Sequence, residues 1–212
     1  AGWPALARDA SVGRGACDAK GIIEDRIGFY NDVLYGLRAL FASRGPVSRL
    51  QFHDFVASLD LKSRYPGFDL VNYAAYVPGK SKARFEESVR ADRSLDPRGY
   101  PQFAIRPSGE RSDYYVISYL EPMQGFEFAF GLDLAASPQV SDTRVVARAQ
   151  AVARDSGELT ASGRPIRIRT AGKSYIGQAM RLAVYRRGAP LGSVEQRRAA
   201  YLGSVGAGFN VA

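Results

Sequence analysis

The chain has 212 residues, of which 46% are hydrophobic and 11% aromatic, a composition typical of a folded globular protein and not of a disordered one. Its formal net charge is +8, but the basic residues are spread along the chain instead of being concentrated in one arm or helix. That distribution favours ordinary surface charge, or an acidic membrane or anionic ligand nearby, over nucleic-acid binding.

Some classes of site are excluded by residue counts alone. Cys17 is the single cysteine, so the chain forms no internal disulfide and no cysteine-based metal site. His53 is the single histidine, so neither a histidine-pair metal site nor a serine–histidine triad can be assembled. We expect His53 to be a solvated or hydrogen-bonded helix residue. No stretch approaches the roughly 18 to 20 apolar residues of a membrane span.

The clearest helical pattern covers residues 20–43. Apolar residues spaced alternately by four and three positions form a heptad stripe, which consists of Ile23, Ile27, Tyr30, Leu34, Leu37 and Phe41. Such a stripe is typical of a helix that packs on its own domain, and also of a helix that pairs with its copy in a dimer. Three heptads do not distinguish the two interpretations, so both are left open.

A second helix is predicted directly after the first. Gly45-Pro46 ends the first helix, because proline lacks a donor and disfavours a helical residue before it. Ser48 and Gln51 form the pattern of a capping box, which predicts a helix reaching about Leu61. The apolar residues expected near its inner face are Leu50, Phe55 and Leu59.

Strands and one short helix follow. A run rich in Leu, Val and Tyr predicts a buried strand over residues 69–77, and apolar spacing predicts a short helix over 83–90. Between Phe103 and Leu134, Pro/Gly turns separate three further strand-like runs. The last run predicts a strand with one buried aromatic face, formed by Phe126, Phe128, Phe130 and Leu132.

The last third predicts one more helix and three strands. Ser141 or Asp142 caps a helix that runs to about Arg154 and ends at Gly157. The residues expected on its inner face are Val145, Ala149 and Val152. Strands are predicted over residues 165–170, 178–186 and 201–211. The whole order of elements favours an α+β fold, in which a mostly antiparallel sheet is flanked by helices, the general layout of PAS-like sensor domains.

Several separated blocks of residues occur in a characteristic order. They are Tyr65-Pro66-Gly67, Tyr76-Val77-Pro78, Phe103-x-Ile105-x-Pro107-x-Gly109, Tyr114-Tyr115, Gly131-Leu132-Asp133 and Tyr201-Leu202-Gly203-Ser204-Val205. In these blocks, over roughly residues 22 to 211, the chain resembles the CHASE domain. This is the extracytoplasmic sensor of plant cytokinin receptors and of many bacterial histidine kinases and diguanylate cyclases.

The resemblance implies a non-enzymatic ligand-sensing domain without cofactor or metal, in the periplasmic or extracellular part of an inner-membrane receptor. Such a domain lies between transmembrane helices, binds a small molecule in a PAS-like module and passes a conformational change to a cytoplasmic kinase or a cyclase/phosphodiesterase. Relatives dimerise through their N-terminal helices. We therefore expect a signalling and dimerisation helix over 1–46, a PAS-like ligand-binding module over 47–190, and over 191–212 a connector with the first strand of a membrane-proximal module.

The resemblance also indicates where a ligand would bind. The expected ligand-binding residues are Tyr115, Phe128, Phe130, Arg169, Arg181 and Tyr185. The aspartate that recognises purine in the plant receptors falls on Val146, one turn after Asp142, so cytokinin specificity is not transferred. The ligand is left as a cytokinin-like molecule or a small anion.

Arg169 and Arg181 decide between these ligands only if they face the pocket. Arginine recognises carboxylate or phosphate with two parallel hydrogen bonds, which favours an anion. On half-buried strands, however, alternate arginines usually point to solvent. Two other function classes are weighed against the sensor. A small-molecule hydrolase has the carboxylates Asp69, Glu121 and Asp133 but no recognisable acid–base pair, and a nucleic-acid-binding domain has only the net charge in its favour.

Overall fold

The computed structural model describes residues 28–64, 68–136, 143–163, 166–170 and 173–210, and it confirms the α+β class. Helix α1 occupies residues 28–44. The other helices are α2 (Arg49–Ser58), α3 (Leu61–Arg64), α4 (Lys82–Ala91), α5 (Thr143–Ser156) and α6 (Val194–Ala200). The strands are β1 (Phe68–Pro78), β2 (Asp113–Glu121), β3 (Thr160–Ala161), β4 (Ile166–Thr170), β5 (Lys173–Tyr185) and β6 (Tyr201–Asn210).

The six strands form one antiparallel sheet in the order β2-β1-β6-β5-β3, with β4 also paired to β5. The last strand in the chain is therefore the central one, since Val205 is paired with Tyr73 of β1 and with Leu182 of β5. The expected division into a helix over 1–46, a module over 47–190 and a connector with the first strand of a membrane-proximal module over 191–212 stays a prediction. Strand β6 belongs to the same sheet as the strands of the predicted ligand-binding module.

Each face of the sheet carries its own apolar cluster, because successive side chains of a strand point to opposite faces. Val71 and Tyr73 of β1 pack with the cluster that includes the buried residues of α1 and α2, which we call the α1 face. Leu70 and Ala74 pack with Val146 of α5 on the opposite side, which we call the α5 face. The sheet is thus covered on both sides and is the partition between the two helical layers.

The heptad stripe of α1 packs on its own domain. Tyr30, Leu34, Leu37 and Phe41 are all buried, and the Phe41 ring lies 4.5 Å from the Tyr73 ring between centroids. The first interpretation of the stripe is confirmed for these four residues. Ile23 and Ile27 lie outside the described residues, and a dimer formed by the N-terminal helices stays a prediction.

Helix α2 begins as predicted but presents a different inner face. Ser48 accepts a hydrogen bond from the Gln51 backbone and the Gln51 side chain accepts one from Ser48 N, which confirms the capping box. Leu50, expected inside, is 39% exposed, and Arg49 is buried instead. Arg49 can be buried in place of Leu50 because its Nε donates to Asp92 at 2.9 Å and its guanidinium lies 4.3 Å from the centre of the Tyr100 ring.

The strand predicted over Phe126–Leu132 is wrong. Residues Glu127–Ala129 form one turn of 3₁₀ helix, and Arg106 Nη2 donates to the carbonyl oxygens of Phe128 at 2.8 Å and Phe130 at 2.6 Å. An arginine therefore satisfies backbone acceptors that a neighbouring strand would otherwise have to satisfy. Only the residues after this turn run beside β2, where Ile117 N donates to Leu132 O at 3.0 Å.

We expect Leu37→Ala to lower the free energy of unfolding by about 2 to 5 kcal/mol, because Leu37 is fully buried and its truncation leaves a cavity. The matched control is Leu50→Ala in α2, where a 39% exposed leucine should change stability by only about 0.5 kcal/mol or less. Urea unfolding of both variants measures the difference. Equal stability of the two variants would show that α1 is not part of the cooperative core.

Candidate functional site

Helix α5 covers the candidate site on the side opposite the sheet. Its inner side is lined by Val146, Ala149, Gln150 and Ala153, all of which are buried. The predicted position of Ala149 is confirmed, but Val152, also expected on this side, is 45% exposed, and its neighbour Ala153 is buried instead. The predicted end of the helix is confirmed by Gly157, whose φ of +79° is the left-handed conformation that glycine adopts most readily. The predicted caps Ser141 and Asp142 lie outside the described residues.

Three rows of side chains cross the α5 face of the sheet beneath this helix. The strand pairings define the first row as Asn72, Gly206 and Arg181. The second row has small residues on β1, β6 and β5, which are Ala74, Ser204 and Ala183, and Ile117 on β2. The third row is formed by the tyrosines Tyr115, Tyr76, Tyr201 and Tyr185. On the α5 face, Arg181 therefore lies in the first row and the tyrosines in the third, and the small side chains of the second row lie between them.

Arg181 is the charged residue of the first row. Its side chain is 3% exposed, and its Nη1 donates to Asn72 Oδ1 at 2.6 Å across Gly206. Glycine is required between them, since a Cβ on residue 206 would lie 2.3 Å from Arg181 Nη1. The Nε atom is buried without a hydrogen-bond partner, and no carboxylate of the described residues pairs with the guanidinium. Burial lowers the pKa of Arg181 to about 10, so the group stays charged at neutral pH.

Gln150 connects α5 to the second and third rows by hydrogen bonds. Its Nε2 donates to Ser204 Oγ at 2.8 Å and to Tyr201 Oη at 3.0 Å. Its Oε1 is buried without a partner. Burial also raises the pKa of Tyr201, so the phenol remains neutral and is available as a hydrogen-bonding group. The layer between α5 and the sheet therefore contains one buried donor, Arg181 Nε, and one buried acceptor that the protein does not pair.

The tyrosine row is fixed by contacts among its rings and to the end of α5. The Tyr201 ring lies 5.7 Å from Tyr76 and 6.2 Å from Tyr185 between centroids. Tyr115 Oη accepts from Arg154 Nη1 at 3.2 Å, and Tyr185 Oη donates to the carbonyl oxygen of Arg154. The row thus holds the last turn of α5 in place against the sheet.

The C-terminal end of α5 is also tied to α1 and α6. Arg38 of α1 donates through Nη1 to Gly157 O at 3.2 Å, across the edge of the sheet. Asp155 accepts hydrogen bonds from Arg198 of α6 and from Arg154, and these bonds hold the pKa of the Asp155 carboxyl well below its usual range. The C-terminal end of α5 is therefore connected to α1 by a direct hydrogen bond.

Of the six residues predicted to bind ligand, the structure brings Tyr115, Arg181 and Tyr185 together under α5. Phe128 is partly buried at the margin of the α5-face cluster, with its ring 6.2 Å from Phe126. Phe130 packs mainly with the α1-side residues, since its ring lies 4.7 Å from Phe103. Arg169 of β4 is paired with Ser174 of β5, and the side chain of Arg169 lies outside the described residues. The ligand-binding role of all six stays a prediction.

Four polar members of the site were not predicted from the sequence: Asn72, Gln150, Tyr201 and Ser204. Two of them had a recognisable signal. Asn72 interrupts the apolar run Leu70-Val71-Asn72-Tyr73, and Gln150 shares a helical face with Val146 and Ala153. A polar residue at a core position of this kind is expected to be hydrogen-bonded or functional.

The α1 face has a cavity of about 660 Å³, lined by residues that include Phe41, Arg49, Tyr73, Asp92 and Tyr119. Its buried arginine differs from Arg181 in charge compensation, because Arg49 is paired with the carboxylate of Asp92 at 2.9 Å and also donates to Ser118 O at 2.7 Å. Like Arg181 Nε, Arg49 Nη2 is buried without a hydrogen-bond partner. The charge in this cavity is therefore compensated within the protein. We treat it as the competing candidate for a ligand site.

The carboxylates weighed for hydrolysis have structural partners. Asp133 is fully buried and accepts from Arg111 Nε at 3.0 Å and from the backbone of Tyr115 at 3.1 Å. Glu121 Oε1 lies 2.9 Å from His53 Nδ1, which confirms His53 as a hydrogen-bonded helix residue. The Asp69 side chain lies outside the described residues. Within the described ranges, no three His, Cys, Asp or Glu side chains are placed to hold a metal ion, and no helix is long and apolar enough to cross a membrane.

The sequence model of the CHASE domain family matches residues 45–212, which include every strand of the sheet and all helices after α1. No curated protein matches the chain.

We expect Gly206→Ala to destabilise the protein by about 1 to 3 kcal/mol, because the new methyl group would overlap Arg181 Nη1 and lie 2.9 Å from Met180 O. Gly208→Ala, two residues along the same strand, is the control, since its methyl group would make ordinary contact with Leu70 Cγ at 3.5 Å. Thermal and urea unfolding measure both. A Gly206→Ala variant as stable as Gly208→Ala would contradict the placement of Arg181 over residue 206.

Proposed function

This chain belongs to the CHASE domain family, and from that premise we propose that it is the ligand-sensing domain of a membrane-bound signalling receptor. CHASE domains are extracytoplasmic sensor domains of signalling receptors and are not catalytic. The proposal adds that this domain binds its ligand between α5 and the sheet, in a PAS-like module. It further adds flanking transmembrane helices and a cytoplasmic histidine kinase or diguanylate cyclase/phosphodiesterase as the output.

The observation that carries the proposal is the buried polar layer of the α5 face. A layer between a helix and a sheet that only stabilises the fold is normally filled by apolar side chains, because each buried polar atom without a partner lowers stability. Here Arg181 Nε and Gln150 Oε1 are buried and unpaired, among Asn72, Tyr201 and Ser204. Unpaired donors and acceptors in a closed layer are what a polar ligand needs in order to be recognised.

The contacts of α5 supply a route for the signal. A ligand that enters the layer must separate α5 from β5 and β6, since α5 packs directly on both strands. The end of α5 is bonded to α1 by Arg38, so α1 follows the displacement. Because a packed interface of this kind has discrete arrangements, the ligand would favour one packing of α1 over another. In the receptor, a homodimer formed through the N-terminal helices would pass this change towards the membrane.

A ligand screen with two matched variants tests the location of the site. Compounds that raise the melting temperature of the wild-type protein are measured again with Gln150→Leu and with Ser88→Leu. Gln150→Leu removes the polar contact of α5 with Tyr201 and Ser204, whereas Ser88→Leu adds bulk to the cavity of the α1 face. We expect the binding constant to weaken at least tenfold in Gln150→Leu and to change less than threefold in Ser88→Leu, since one lost hydrogen bond to a buried ligand corresponds to about 1.4 kcal/mol.

The opposite result, with binding abolished by Ser88→Leu and kept by Gln150→Leu, would move the site to the α1 face. Circular dichroism of both unliganded variants checks that the fold is intact. Stabilisation by a bound compound should grow with its concentration by about 1.4 kcal/mol per tenfold increase above the dissociation constant, which separates specific binding from solvent effects.

The Arg38–Gly157 bond should carry the signal without contributing to affinity. We expect Arg38→Ala to leave the affinity for a compound found in the screen within about threefold, but to remove the change in hydrogen exchange that the compound causes in α1. Arg44→Ala removes an exposed arginine from the same helix and is the control. If the compound still changes hydrogen exchange in α1 of Arg38→Ala as it does in wild type, α5 and α1 are not coupled through this contact.

A further inference from the structure

The uncompensated charge of Arg181 identifies the class of molecule that the α5 face would bind. We propose that the ligand is a small organic acid whose carboxylate pairs with the Arg181 guanidinium and whose flat apolar body lies over the small-residue row towards the tyrosines. This inference rests on the proposed function, because it names the ligand of the same site.

Among the described residues, Arg49 and Arg181 are the two buried arginines, and they differ in their partners. Arg49 has the Asp92 carboxylate at 2.9 Å and three aromatic rings, of which Tyr100 lies 4.3 Å away. Arg181 has only the neutral amide of Asn72. A buried charge is ordinarily compensated by an opposite charge, and a charge left alone is strongly destabilising. The compensating anion of Arg181 is therefore expected from outside these residues, and a ligand would supply it.

A carboxylate fits this arginine better than a phosphate does. A carboxylate has one negative charge and two acceptor oxygens, which match one guanidinium and its parallel N–H groups. The nearest additional cation on the end of α5, Arg154, already pairs with Asp155 and is hydrogen-bonded to Tyr115. One available positive charge thus matches a monovalent acid.

The shape of the layer specifies the rest of the molecule. Asn72 and Tyr76 lie four residues apart in β1, a distance of about 13 Å in a strand. The intervening row has the small residues Ala74, Ser204 and Ala183 on β1, β6 and β5, and it ends at Ile117 on β2. Small side chains leave room for a ring if α5 moves outwards. The unpaired Gln150 Oε1 would accept a hydrogen bond from a donor on the ligand body, and the tyrosine rings would stack on its flat face.

The test uses pairs of molecules that differ in charge but not in shape. Acetate and acetamide, benzoate and benzamide, and indole-3-acetate and indole-3-acetamide are titrated against wild type, Arg181→Met and Arg181→Lys, with adenine as an uncharged planar control. For at least one pair we expect the acid to bind wild type at least tenfold more tightly than its amide. Arg181→Met should remove that preference by weakening the acid only, and Arg181→Lys should retain part of it, because lysine keeps the charge but not the two parallel donors.

A second readout does not depend on finding the best acid. If Arg181 is an uncompensated charge, unliganded Arg181→Met should have a melting temperature at least as high as that of wild type, because a similar apolar volume replaces a buried unpaired cation. A large loss of stability in Arg181→Met would show that the protein itself compensates the charge and would overturn the inference.

The binding results separate failure of this inference from failure of the proposed function. If adenine or another uncharged compound binds in a Gln150-dependent manner and no acid exceeds its amide, the site stands and the carboxylate assignment is wrong. If the acid preference is the same in Arg181→Met as in wild type, the anion binds elsewhere and the assignment is again wrong. If no compound of any class binds in a Gln150-dependent manner, the α5 face is not the ligand site.

Discussion

The pairing of β6 with β1 on one side and with β5 on the other is the interaction on which the rest of this structure depends. It joins the antiparallel pair β1 and β2 to the C-terminal strands. It also brings together residues as distant as Tyr73 and Leu202, which are 129 positions apart and linked by a hydrogen bond of 2.8 Å. The close approach requires glycine: a Cβ on Gly203 would lie 2.3 Å from Ala74 O. Without β6, strands β1 and β2 would not belong to the same sheet as β5, β3 and β4.

Because the sheet separates two helical layers, the two faces can hold chemically different interiors. The α1 face buries Arg49 together with Asp92 and aromatic rings, so its charge is balanced and contributes to the core. The α5 face buries Arg181 with only Asn72 as a partner. Under the proposed function, the α1 face would form the stable layer and the α5 face the layer whose packing a ligand changes.

The same division explains why α1 is important even though the family match begins after it, at residue 45. Its apolar stripe is buried against the sheet, on the side opposite the polar layer, while Arg38 reaches the end of α5. In the proposed mechanism, movement of α5 would reach α1 through this contact at the edge of the sheet and would not have to pass through its strands.

Local pattern was sufficient for the elements whose sequence carries a strong signal, such as the Ser48–Gln51 capping box and the helix end at Gly157. It was misleading at Phe126–Leu132, where apolar alternation suggested a strand. There the side chain of Arg106, twenty-two residues before Phe128, satisfies the carbonyl oxygens and allows a turn. In α5, local pattern predicted part of the inner face one position too early. Alanine and valine occupy neighbouring positions there, so the packing partner decides which of them faces inwards.

By itself, the sequence determined the α+β class, the order of most helices and strands, and the family resemblance, because these depend on periodicity, turn residues and ordered blocks of residues. Only the tertiary structure decided that Arg181 points inwards and that β6 is central. An arginine that alternates with apolar residues can face solvent or core. The choice depends on which strand lies beside it, and here that neighbour offers Gly206 and, beyond it, the Asn72 amide.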